Sequence, residues 1–163
     1  MKKILSLLVL VTALVSCEED VKFNNPAVQG LKDNELWKAT TYDAKKTGNT
    51  IIINAHRGGD FETMTITLNA AAPGSVHNLG LDELNKGSYS YNIDGISESF
   101  TTGTGKGNGR VTIMGEDDNN INGTGGKGFI SGSFYFNAYN SDDSGVVNFQ
   151  QGVFYRVPLT VEP

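Results

Sequence analysis

Apolar side chains recur at every second position along much of this chain, and that period admits strands and little else. Ile51, Ile53 and Ala55 alternate with Ile52, Asn54 and His56. Met64, Ile66 and Leu68 alternate with Thr63, Thr65 and Thr67, and Trp37, Ala39 and Thr41 with Lys38, Thr40 and Tyr42. Successive strand side chains point to opposite faces, so each run predicts one buried face and one wet face. The β-branched and aromatic content supports strands over helices. Segments 45–49 and 57–60, each with a glycine, read as the turns between them.

The later chain continues in the same way. Tyr89-Ser90-Tyr91 and residues 96–102 predict short strands around a turn at 92–95, and residues 81–85 suggest one helical turn. Ten of the 20 glycines lie between 103 and 132, so loops concentrate there. Segment 103–109 reads as the long tip of a hairpin joining 96–102 to 110–115. Residues 129–139 form the strongest strand pattern. Ile130, Phe134, Phe136 and Ala138 share one face, and Gly132 on that face marks a bulge or a close backbone approach. Ser131, Ser133, Tyr135, Asn137 and Tyr139 share the other. Residues 146–149 and 153–157 close the chain, with a bulge near Gln151-Gly152 needed to bring Phe154 into phase. The expected fold class is all-β, an antiparallel β-sandwich or a barrel-like closure.

The first residues are of another kind. Lys2 and Lys3 precede an apolar run from Ile4 to Val15, interrupted by Ser6 and Thr12. That is shorter than the roughly 20 apolar residues a spanning helix needs, and it fits a secretion signal. Leu14-Val15-Ser16-Cys17 resembles a bacterial lipobox, which implies cleavage before Cys17 and lipid on that residue. Acyl chains contribute about 0.8 kcal/mol per buried CH₂, so several together hold firmly. Cys17 is the single cysteine, which leaves no disulfide and no thiolate metal site. The Glu18-Glu19-Asp20 run that follows resembles the acidic signal of surface-displayed Bacteroidetes lipoproteins. The expected division is a signal peptide at 1–16, a lipidated Cys and acidic tether at 17–26, and one β domain at 27–163. The expected location is the cell envelope, anchored by lipid to the outer membrane and exposed at the surface.

Cleavage changes the charge balance. The chain has 13 basic and 18 acidic residues, and loss of Lys2 and Lys3 leaves 11 against 18, a formal charge of −7. Such a surface argues against nucleic acid and anionic headgroups as partners. The expected partners are the membrane through the anchor, and a glycan or another envelope protein.

Asn34-Glu35-Leu36-Trp37-Lys38-Ala39, Ile130-Ser131-Gly132-Ser133-Phe134 and Gly152-Val153-Phe154 resemble recurring blocks of small Bacteroidetes lipoproteins that carry a domain-of-unknown-function label. The resemblance implies a secreted all-β domain and brings no catalytic residues with it.

Several constellations invite chemistry. Asp118 to Gly123 matches the first half of a calcium loop, but position twelve is Phe129, where a bidentate Glu is needed. A turn is the expectation, with no metal or other cofactor. Gly103 to Gly109 lacks the Gly-Lys-Ser/Thr ending and the following helix of a phosphate loop. His56 and His77 have no second histidine or cysteine at ligand spacing. Asp60 and Glu62 lie near His56 without an identifiable nucleophile. No catalytic residue is assigned. The face carrying Tyr135, Asn137 and Tyr139 is the candidate ligand-binding site, because rings with an amide between them can stack on and hydrogen-bond a sugar or peptide. The expected role is a non-catalytic binding or accessory module, with a purely structural envelope protein and a secreted hydrolase as the alternatives.

Overall fold

The computed structural model describes residues 27–162. The expected signal peptide, Cys17 and the acidic tether lie outside the described residues. Twelve strands follow in order: β1 (Val28–Lys32), β2 (Glu35–Lys38), β3 (Thr41–Thr47), β4 (Thr50–Arg57), β5 (Glu62–Asn69), β6 (Val76–Leu79), β7 (Lys86–Ile93), β8 (Ile96–Thr101), β9 (Asn108–Ile113), β10 (Asn120–Thr124), β11 (Lys127–Tyr139) and β12 (Val146–Glu162). A single 3-10 turn at Glu116–Asp118 is the one helical element among the described residues.

The pairings run in a ring. From β12 they pass through β3, β4, β5, β7 and β8 to β11, which pairs back with β12. The ring closes where Tyr139 faces Thr101. The molecule is therefore all-β and barrel-like. Closure leaves only short strands as edges, which protects the backbone from stray pairing.

One pairing departs from the antiparallel expectation. β12 runs parallel to β3, with Leu159 opposite Ala44 and Glu162 opposite Thr47. The cause lies at Ala39-Thr40, where the strand expected across 37–42 is interrupted. The Ala39 N–H still donates to Val28 O of β1, but the Thr40 N–H donates to His56 O of β4. The chain keeps its direction and changes partner. β2 pairs antiparallel with β1, β1 antiparallel with β12, and β3, continuing the course of β2, meets β12 parallel.

The last strand shows how alternation is rephased. Val147 and Phe149 are buried, then Gly152 and Phe154, then Val157 and Leu159. The inward set moves from odd to even numbers and back. Gln151 (φ 50°) and Arg156 (φ 48°) sit at the two changes of phase. An extra residue in each bulge flips every later side chain to the other face. The expected bulge at Gln151-Gly152 is present. The second, at Arg156, explains why Phe154 and Val157 both reach the core while Tyr155 faces out.

That core fills the ring. Trp37 meets Phe149 edge-on at 5.7 Å between ring centroids, and Phe149 lies 4.9 Å from Phe136. Ile51, Ile53 and Ala55 face in from β4, and Met64, Ile66 and Leu68 from β5, as their period requires. Gly152 is bare because a Cβ there would lie 2.5 Å from the Phe134 ring. Gly132 is bare for the same reason against Phe154.

The loops differ most from expectation. Residues 81–85 form no helix. The Asp82 carboxylate accepts the N–H groups of Leu84 and Asn85 instead, a side-chain turn that competes with helix formation. Segment 103–109 is not a hairpin tip, because β8 pairs with β7 while β9 pairs with β11 and β6. It crosses to the far side of β11, and Gly107 (φ 70°) allows the close backbone passage against Asn137. Its Thr104 N–H donates to Glu83, which Lys86 also reaches at 2.5 Å. Those two bonds, the Lys86 one first, hold the Glu83 carboxyl down at about 2.

Candidate functional site

β11 is central because it carries core on one side and solvent on the other. Ile130, Phe134, Phe136 and Ala138 are buried. Tyr135 points outward and is 46% exposed, while Asn137 and Tyr139 are half-buried. Ser131 departs from the outward set. It is fully buried, with its hydroxyl donating to Asp118 O and accepting the Arg156 N–H. A register shift between Ile130 and Gly132 accounts for that, since it turns Ser131 away from the later outward residues.

Flanking strands complete the outer face. Cross-strand pairs on one face lie about 5 Å apart, and Tyr135 is paired with Arg110 of β9. Asn137 is paired with Asn108 on β9 and Asn148 on β12. These three amides form a ladder. Asn148 Nδ2 donates to Asn137 Oδ1 at 2.5 Å, and Asn137 Nδ2 donates to Asn108 Oδ1 at 3.0 Å. Asn137 thus spends its amide on the sheet, which weakens it as a sugar anchor.

The ladder also divides the predicted site. Tyr135 lines a depression of about 320 Å³ with Arg110, Thr112, Ser133 and Gln151. Tyr139 lines a separate one of about 360 Å³ with Lys106, Asn108 and Asp143. Lys106 donates to Asn140 O and pairs with Asp143 at 2.7 Å, tying the glycine-rich crossing to the β11–β12 turn. The three residues share a face but not a pocket. Arg110 opens the strand expected over 110–115, but nothing in the sequence ties it to Tyr135; only the register of β9 on β11 does.

The other constellations resolve into local structure. Asn120 Oδ1 accepts the Gly123 N–H, Asn122 Oδ1 accepts Lys46, and Asn119 Oδ1 accepts the Ser131 N–H. The segment is not the expected turn: it runs from the end of the 3-10 element at Asp118 through Asn119 into β10, and its amide oxygens face protein donors. His56 Nδ1 lies 3.0 Å from Asp60 and 3.1 Å from the Thr63 hydroxyl. His77 Nε2 lies 2.8 Å from Ser75 Oγ, and burial pushes its pKa down. That pair has the spacing of a nucleophile and its base. Ser75 Oγ, however, also accepts the Ala72 N–H and so closes the turn before β6.

A family model described as a domain of unknown function (DUF6252) matches residues 24–158. No curated protein and no solved structure matches the chain.

Proposed function

Because this chain belongs to the DUF6252 family, a domain of unknown function, we propose its role from geometry: a lipid-anchored envelope module that docks another envelope protein through the outer face of β9, β11 and β12. Tyr135 carries the reading. It is a large ring standing in solvent on a strand whose opposite face is wholly core, directly paired with Arg110. Tyr and Arg dominate binding energy at protein interfaces. Val146 and Tyr155, 54% and 51% exposed, extend the same strand array. The fitting partner presents an aliphatic patch around Tyr135 and a carboxylate for Arg110. Peptide recognition is favoured over sugar recognition here because the Asn137 amide is already engaged by Asn108 and Asn148.

Cys17 supports the anchor, and Glu18-Glu19-Asp20 supports display at the cell surface. No catalytic group is assigned. The test is the size of the detergent-solubilised protein from its own envelope. The wild type should migrate as a complex larger than a monomer. Tyr135→Ala and Arg110→Glu should reduce it to a monomer without moving the thermal midpoint. A monomeric wild type, or a large stability loss in Tyr135→Ala, would contradict the docking role.

A further inference from the structure

We infer that the trough beside the β7–β8 hairpin binds a neutral oligosaccharide. The cavity there measures about 530 Å³, within the range of small-molecule sites, roughly 300–1,000 Å³. Its shape follows from the sequence. Ser90 is paired with Ser99, and Asn92 with Ser97, so four short polar side chains share one face of the hairpin. Short side chains leave a depression where long ones would fill it. The strand order β5-β7-β8-β11 places Asp60 at the β7 edge and Ser141 and Asp142 at the β8 edge.

The chemistry of the lining selects the ligand. Hydroxyls, amides and carboxylates line the trough, and no lysine or arginine is among them. Sugar hydroxyls donate well to carboxylates, in charge-assisted bonds. Anionic polymers would meet Asp60 and Asp142 without a compensating cation in the lining. Asp142 is held in place before any ligand arrives, taking the Ser144 hydroxyl at 2.7 Å.

The test titrates the full mature protein, in detergent, with neutral hexasaccharides of glucose, mannose and N-acetylglucosamine. A galacturonate hexamer and calcium chloride alone are the comparison arms. At least one neutral hexasaccharide should bind, and galacturonate should not. Ser97→Trp, which fills the trough from an exposed position, should weaken binding by about tenfold or more at an unchanged thermal midpoint. Ser99→Trp serves if that variant does not fold. Tyr135→Ala should leave the titration unchanged, so this inference and the docking role can fail separately. Four results would overturn it: no neutral saccharide bound, galacturonate preferred, both tryptophan variants binding normally, or calcium bound without saccharide.

Discussion

The indole Nε1 of Trp37 donates to Glu62 Oε2 at 2.9 Å. The same carboxylate oxygen accepts the Tyr89 hydroxyl at 2.7 Å, and the other lies 3.5 Å from Arg57. One carboxylate, with its side chain 15% exposed, thus joins β2, β5 and β7 at the end of the core. Trp37 is fully buried and Tyr89 nearly so. Their polar atoms have a partner because Glu62 turns inward.

Removing that carboxylate leaves two buried donors without an acceptor, each costing about 1–3 kcal/mol. Glu62→Ala should lower stability by about 2–4 kcal/mol, read as a fall in the urea midpoint at unchanged slope. Glu62→Gln keeps an amide oxygen for the donors and should lose less than half as much. Equal losses in both variants would mean that charge, not acceptance, is what matters.

The Tyr89 phenol predicts a response to alkali. Burial raises its pKa first, and the hydrogen bond and charge of Glu62 add to it. The folded state therefore favours the neutral phenol. The associated stability is intact below the ordinary tyrosine value of about 10 and declines as pH rises above it. The thermal midpoint should fall as pH rises from about 10 toward 12, and the fall should be shallower in Tyr89→Phe. Tyr91, raised by its bond to Glu98, leaves a residual slope. A variant with the wild-type slope would place the alkaline loss elsewhere.

Gln151 holds a left-handed backbone at the first rephasing of β12. Glycine adopts that conformation without strain, so Gln151→Gly should stabilise by about 0.5–1 kcal/mol. Gln151→Val should lower the thermal midpoint, since a β-branched residue tolerates positive φ poorly. Arg156→Gly should give little net change, because Arg156 also lies 3.9 Å over the Phe129 ring and loses that contact.

The legible parts of this fold are those where one strand has one phase. The β4 and β5 alternations and the Ile130, Phe134, Phe136, Ala138 set name the core by period alone. The Ala39-Thr40 switch was hidden because Trp37 and Ala39 both face in, so the pattern runs on past the change of partner. The Arg156 bulge was hidden because Val153, Tyr155 and Val157 form a plausible alternation of their own, and only three-dimensional packing selects Phe154. β6 was missed because its four residues include His77 and Asn78, too polar and short to signal a strand. At the candidate site, the outward direction of Tyr135, Asn137 and Tyr139 was readable. The amide ladder was not, since it depends on the register that sets Asn137 between Asn108 and Asn148.

The anchor makes its own prediction. Cys17→Ala should release the protein from membranes or leave it unprocessed, and should abolish palmitate labelling. Fractionation of labelled cells measures both. Unchanged membrane association without label in the wild type would remove the anchor from the account.

A photo-cross-linking residue placed at Tyr135 in the full-length protein, within its own envelope, tests the docking role most directly. Ile52, outward on β4 and 37% exposed, is the control position. The docking account predicts a discrete adduct from position 135, lost when Arg110→Glu is added and absent from position 52. No adduct at 135, or equal adducts at 135 and 52, would contradict it.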